Sequence, residues 1–154
     1  MCIRDSGYAM GTAVKRGSAE THFYRRGTGF RIPGMDVNGM DVLEVRAAAK
    51  VALEYVRAGN GPVLMELNTY RYRGHSMSDP AKYRSREEVQ EMRDHHDAIE
   101  AAKQDLLHRG VTEDQLKAVD KRIRQIVAES ADFAESSPEP AAFELYTDVL
   151  VGTY

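Results

Sequence analysis

"MDVNGMDVLEVRAAAKVALEYVRAGNGPVLMELNTYRY", Met35 to Tyr72, holds two short β-type runs with a helical one between them. MDVNGMDV reads as a short strand and a turn running into a helix. Asp41 and Glu44 stand at capping-box spacing, aspartate replacing the more usual serine or threonine. Behind them Val42, Val45, Ala49, Ala52 and Val56 recur at helical spacing, and AGNG ends the helix. PVLMELNTYRY follows as a second strand, bounded by Gly61 and Pro62. Strand, helix and strand joined by short connections is the order expected of a parallel α/β sheet. Ligands of such sheets sit beyond the carboxyl ends of the strands.

What stands at that position is RYRGHSMSDPAKYRSREE, Arg71 to Glu88. Between Tyr72 and Tyr83 the only apolar side chain larger than alanine or proline is Met77, so burial cannot order the segment. Arg71, Arg73, His75, Arg84 and Arg86 fall within sixteen residues, with Ser76, Ser78 and several backbone N–H groups among them. Arginine offers paired donors to phosphate oxygens, and histidine can donate while moving protons near neutral pH. Gly74 lets the backbone approach a ligand closely. The chemistry suits an oxyanion or diphosphate site; a solvated, mobile charged loop is the competing reading.

On either side the pattern is plainer. MCIRDS, residues 1–6, reads as neither strand nor helix, and is expected to be a truncation or gene-boundary scar. GYAMGT is small and turn-prone, without the spacing of either nucleotide-binding glycine motif. Residues 13–24 can form a short helix, weakened by Gly17 and Ser18, and RRGTGFRIPG reads as a loop. After the polar segment, Ser85 and Glu88 begin a helix through about Arg93, and Asp97 opens another ending near Gly110. Thr112 and Gln115 cap a long helix through about Ser136, with Leu116, Val119, Ile123, Ile126 and Val127 on one face. SSPEP ends it, and ELYTDVLV is expected to add a short final strand.

The chain of 154 residues is long enough for a real core, and 42% hydrophobic with 29% charged residues is a globular composition. A net charge of −3 gives no electrostatic case for nucleic acid or an anionic membrane. No apolar run approaches a membrane span. One cysteine, Cys2, excludes an internal disulfide and a cysteine metal site, and fits a reducing compartment. His95-His96-Asp97 is a weak metal candidate with no third ligand in view. His22 and His108 read as surface or partly packed residues.

Taken together, GYAMGT, RIPGMDVNGMDV, GPVLMELNTYRYRGHSMSDP and YRSREE resemble the α subunits of the E1 component of pyruvate dehydrogenase, from about Gly7 onward. The resemblance implies a thiamine-diphosphate-dependent 2-oxo acid decarboxylase acting on pyruvate and passing the acetyl group to lipoyl groups of the E2 component. It implies a fold in which part of a thiamine-diphosphate-binding parallel-sheet domain, residues 7–84 with the polar loop 71–84, is followed by a C-terminal helical segment, 85–154. Carried over residue by residue, His75 matches the loop histidine at the cofactor diphosphate and on the substrate side of the thiazolium. Ser76 matches a serine phosphorylated in mitochondrial members. Arg71, Asp79 and Tyr83 match residues that keep the loop ordered. Tyr8 matches a tyrosine whose backbone carbonyl binds Mg²⁺, and Met10 the apolar residue that props the cofactor into its bent form. The loop would then be polar because its cofactor orders it.

The departures are specific. The family's metal motif begins Gly-Asp-Gly and closes with Asn-Asn directly before this glycine and tyrosine. Here the closing pair is Asp5-Ser6, which puts Ser6 at the position of the asparagine ligand, and the Gly-Asp-Gly half is absent. The resemblance implies an E1 β subunit as partner in an α2β2 heterotetramer, an E2 lipoyl domain as acceptor, and no activity for this chain alone. Lys82, where mammalian members carry a second regulatory serine, favours a bacterial and hence cytoplasmic enzyme; a eukaryotic one would lie in the mitochondrial matrix. The branched-chain and acetoin dehydrogenases are the neighbouring alternatives. A non-catalytic phosphate-binding module and a helical interaction domain over residues 85–136 are the other two classes.

Overall fold

The computed structural model describes residues 1–149. The chain forms two compact units, Met1–Arg109 and Gly110–Tyr154. In the first, β4 (Gly34–Asn38), α2 (Val42–Arg57) and β5 (Leu64–Asn68) make the expected crossover unit, with β4 and β5 parallel. The Asp41 carboxylate accepts the N–H groups of Leu43 and Glu44, at 2.8 and 3.1 Å, and so starts α2. Glu44 does not close the box on Asp41. Its carboxylate takes the Asn38 N–H at 2.9 Å, fixing the helix start to the end of β4. Past Arg57 the chain turns at Gly59, whose φ of 79° is the left-handed conformation that glycine reaches without strain.

Alternation along the strands divides the sheet into two faces. Met35 lies opposite Met65 and Val37 opposite Leu67, so these four share one face. Together with Val63 they pack against Val45, Ala48, Ala49 and Ala52 of α2. Each large apolar side chain so buried contributes about 1.5–3 kcal/mol. The opposite face carries Leu64 and Glu66. Glu66 is only 2% exposed and accepts the Tyr24 N–H at 2.9 Å. Tyr24 belongs to a 3₁₀ helix, Phe23–Phe30, that covers this face. Gly34 is required beneath it, because a β-carbon there would overlap the Tyr24 carbonyl.

Several expectations are corrected. Residues 1–6 are not without structure: Cys2–Asp5 is β1, parallel to β5 on the side away from β4, giving the order β1-β5-β4. The ladder uses main-chain groups, such as Thr69 N–H to the Asp5 carbonyl at 2.6 Å, so the side chains need no strand-like pattern. The helix expected over 13–24 shrinks to α1, Val14–Gly17, because the chain becomes extended at Ser18. The glycine-rich loop over 25–34 is instead largely the 3₁₀ helix. The strand expected through Tyr72 stops at Asn68.

Two short strands, β2 (Tyr8–Ala9) and β3 (Thr12–Ala13), form a hairpin after β1. Helices α3 (Arg86–His95) and α4 (Ala98–His108) start at the expected caps, Ser85 and Asp97. They belong with the sheet to the first compact unit, which ends at Arg109. Tyrosines leaving β5 hold their first turns: Tyr70 donates to Glu88 at 2.9 Å and Tyr72 to Asp97 at 3.0 Å.

The second unit is built on α5, Glu113–Ser136, opened by the full reciprocal box of Thr112 and Gln115. Its apolar stripe, Val119, Ile123, Ile126 and Val127, is exposed. The first residues of the expected final strand, Glu144–Tyr146, belong instead to a 3₁₀ turn, Ala142–Tyr146, and the strand's end at Leu150 and Val151 lies outside the described residues. Among the described residues no helix is long and apolar enough to cross a membrane.

Candidate functional site

Asp5, Asn68 and Asn38 end the three parallel strands side by side. The segments that carry chemistry all leave from this edge. After β1, one Asp5 carboxylate oxygen takes the Gly7 N–H at 2.7 Å, and Gly7 turns with φ 73° into the β2–β3 hairpin. Met10 at the hairpin tip has φ 51° and a largely exposed side chain. After β5, the loop 71–84 returns over the same edge.

The loop is organised by Asp79. One carboxylate oxygen accepts the His75 N–H at 2.7 Å and the Tyr83 hydroxyl at 2.8 Å; the other accepts the Ala81 N–H at 2.9 Å. These donors, the backbone N–H of His75 first, hold the Asp79 carboxyl below the usual carboxylate range. The hydrogen bond that the Tyr83 hydroxyl donates to Asp79 raises the Tyr83 phenol above its ordinary value. Gly74 permits the close approach, since a β-carbon there would overlap the backbone carbonyl of Asp79. Tyr83 then joins loop to hairpin: its ring lies 4.7 Å from that of Tyr8, whose hydroxyl donates to the Tyr83 carbonyl at 3.3 Å.

Arg84, read from the sequence only as one of five basic residues of a possible anion site, completes the junction. Its guanidinium donates to the carbonyls of Arg71 and, at 3.0 Å, Ser6. The side chain is 3% exposed and lies 3.9 Å from Glu88. Burial, and then the Glu88 hydrogen bond, push the neighbouring Tyr70 phenol up to about 12. The tyrosines on either side of the loop were the available signal, since a buried arginine needs aromatic or anionic company. Among the described residues, Nη1 of Arg71 and Nε of Arg84 are buried with no hydrogen-bond partner.

Of the residues expected to form a site, Ser6, Tyr8, Arg71, Asp79 and Tyr83 are brought together. His75 joins them only through its backbone; the residue is exposed. Ser76 is exposed too, its hydroxyl 2.9 Å from that of Ser78. Met10 is near the group in the chain, with its side chain largely exposed at the hairpin tip. The loop therefore has a base held by its own side chains, as the residues Arg71, Asp79 and Tyr83 suggested, and an exposed tip. The weak metal candidate dissolves: Asp97 caps α4, His95 faces Glu91 at 3.7 Å, and the described residues hold no group of three metal-binding side chains.

A parallel sheet whose strand ends carry an arginine-rich loop tied down by an aspartate defines an α/β protein whose candidate site lies at that edge, where parallel sheets bind their ligands. Residues 1–143 match the dehydrogenase E1 component family, and the chain belongs to it. Among its relatives, the pyruvate dehydrogenase E1 component subunit alpha of Zymomonas mobilis is 57% identical over 99% of this chain and 43% of its own length. The subunit of the same name from Rhizobium meliloti is 59% identical over 97% of this chain, again 43% of its own length. The somatic mitochondrial form from Bos taurus is 48% identical over 90% of this chain and 35% of its own. The chain thus spans less than half of the relatives it matches.

Proposed function

We propose that this chain supplies the loop-bearing part of an E1 α subunit that decarboxylates pyruvate and transfers the acetyl group to a lipoyl domain. The observation that carries the reading is the closed loop base, Asp79–Tyr83 with Arg84–Ser6, across the strand ends of a chain from this family. The names of the relatives favour pyruvate over branched-chain 2-oxo acids or acetoin. The partners are an E1 β subunit in an α2β2 assembly and an E2 lipoyl domain. The two bacterial relatives favour the cytoplasm.

The arginine-rich loop suits a diphosphate chemically, and among the described residues Nη1 of Arg71 is a buried donor that lacks an acceptor. For Mg²⁺ the resemblance points to oxygens at Tyr8 and Ser6, and the Ser6 carbonyl accepts from Arg84. Thiamine diphosphate, when bound, supplies the ylid and the electron sink. By the family resemblance His75 would donate to the diphosphate or the substrate, and Met10 would support the cofactor's bent form. Ser76 sits where a phosphate, adding roughly −1.5 to −2 charge, would repel the ligand and open the tip.

The test is reconstitution of a full-length α subunit carrying this sequence with its β subunit. Pyruvate turnover should require thiamine diphosphate and Mg²⁺, and both together should slow tryptic cleavage at the loop arginines. His75→Ala should lower turnover by roughly 10²–10⁴-fold with an unchanged melting temperature. Wild-type turnover in a folded His75→Ala enzyme, or activity of this chain without a β subunit, would sink the proposal.

A further inference from the structure

We propose that Asn60–Gly61 is a site of spontaneous covalent modification, at which Asn60 converts to aspartate and isoaspartate. The fold keeps the other Asn–Gly pair of the chain, Asn38–Gly39, intact. The two pairs flank α2, one between β4 and the helix and one between the helix and β5. Asparagine before glycine is the most labile asparagine linkage, because no β-carbon obstructs approach of the following main-chain nitrogen. In the step, the Gly61 nitrogen attacks Cγ of Asn60. A Cγ–N bond forms, the Cγ–Nδ2 bond breaks, and the proton displaced from the Gly61 nitrogen leaves with the side-chain NH₂ as ammonia. Water then opens the five-membered imide at either carbonyl, giving aspartate or isoaspartate, with no change of oxidation state.

The attack needs a free nitrogen, a free side chain and room to turn, and Asn60–Gly61 has all three. Asn60 is exposed, and a β-carbon added to Gly61 would meet nothing within 4 Å. Among the described residues the pair's one backbone hydrogen bond is from the Asn60 N–H to the Tyr55 carbonyl, at 3.4 Å, which leaves the Gly61 N–H available. Gly59 and Gly61, with φ of 79° and 97°, stand on either side of Asn60 and let the main chain rotate. Asn38–Gly39 differs on each count. The Gly39 N–H donates to the Asn68 carbonyl at 2.8 Å, and Oδ1 of Asn38 accepts the Met40 N–H at 3.0 Å. A β-carbon on Gly39 would lie 2.6 Å from Cγ2 of Thr69, so the space is filled. Breaking two hydrogen bonds first slows the step by roughly 5- to 150-fold. The product at position 60 is a carboxylate just past the last carbonyls of α2, where negative charge is unfavourable. Isoaspartate also lengthens the main chain between Gly59 and β5.

Mass spectrometry on the 154-residue chain, aged in mildly alkaline buffer, is the test. Trypsin separates the two pairs into peptides 32–46 and 58–71, and fragment ions assign the mass gained when NH₂ becomes OH to a single asparagine. In the folded chain Asn60 should convert roughly 5- to 150-fold faster than Asn38, with ammonia released in step. In concentrated urea the two should convert at similar rates, since glycine follows both. Asn60→Gln enlarges the ring that must form, and should abolish the fast conversion in 58–71 while leaving 32–46 as in the wild type. Equal rates in the folded chain, faster conversion at Asn38, or a ratio that persists in urea overturns the inference. So does fast conversion of 58–71 that survives Asn60→Gln.

Discussion

Gly74→Ala should open the polar loop without destabilising the sheet. All three atoms nearest to the added β-carbon belong to Asp79: its backbone carbonyl oxygen in overlap, and its Cβ and Cγ at 2.9 Å. Asp79 cannot step aside and keep its three hydrogen bonds to His75, Ala81 and Tyr83. Overpacking of this kind costs about 1–3 kcal/mol where the surroundings are rigid. Here they are not, because the segment from His75 to Ser78 is exposed and the loop can swing outward. The strain is then relieved by opening rather than by unfolding, and the open-to-closed ratio rises by about 5- to 150-fold. Initial tryptic cleavage after Arg73 and Lys82 measures that ratio, and a urea titration of the same protein measures the sheet. Cleavage should accelerate within this range while the urea midpoint stays put. Unchanged cleavage would mean that Gly74 and Asp79 do not meet in solution. A lowered urea midpoint would mean that the loop is part of the cooperative core, and the reasoning would fail.

Gly34→Ala should do the opposite: the clash with the Tyr24 carbonyl lies against a buried sheet face and threatens the donor to Glu66, so global stability should fall by about 2–5 kcal/mol, read as a drop in urea midpoint with loop cleavage little changed. Acid should release the loop and the start of α4, since Asp79 and Asp97 are held below the usual range chiefly by the N–H groups of His75 and Glu100. A depressed folded-state value stabilises fully above the unfolded value of about 3.9 and is lost as pH falls through the folded one. Exchange protection at 75–83 should accordingly be flat from about pH 8 to pH 5 and fall below about pH 4; a loss centred near pH 6 would contradict it. Thr112→Ala removes one half of a reciprocal cap and should cost α5 about 1 kcal/mol, seen as faster exchange in its first turn and unchanged protection in β5.

What the amino-acid order determined by itself is whatever depends on neighbours within a few residues. The alternation of Val63, Met65 and Leu67, the spacing of Val45, Ala49 and Ala52, and the aspartate at position 41 suffice for a parallel crossover unit. Thr112 with Gln115 suffices to start α5. The polar loop was legible in the same way, as a segment too poor in apolar side chains to be core and placed after a strand. The resemblance of its motifs to the E1 components gave the family to which the chain belongs. Tertiary structure decided the rest, because the partners lie far apart in the chain. β1 exists only because β5 has an open edge for its main chain, and nothing in MCIRDS announces it. Glu44 left its cap for Asn38 once β4 stood beside the helix. Tyr8 and Tyr83 meet across 75 residues, and Arg84 reaches Ser6 across 78. A guanidinium between three tyrosine rings is a property of four chain segments folded together, and no local pattern in any one of them contains it.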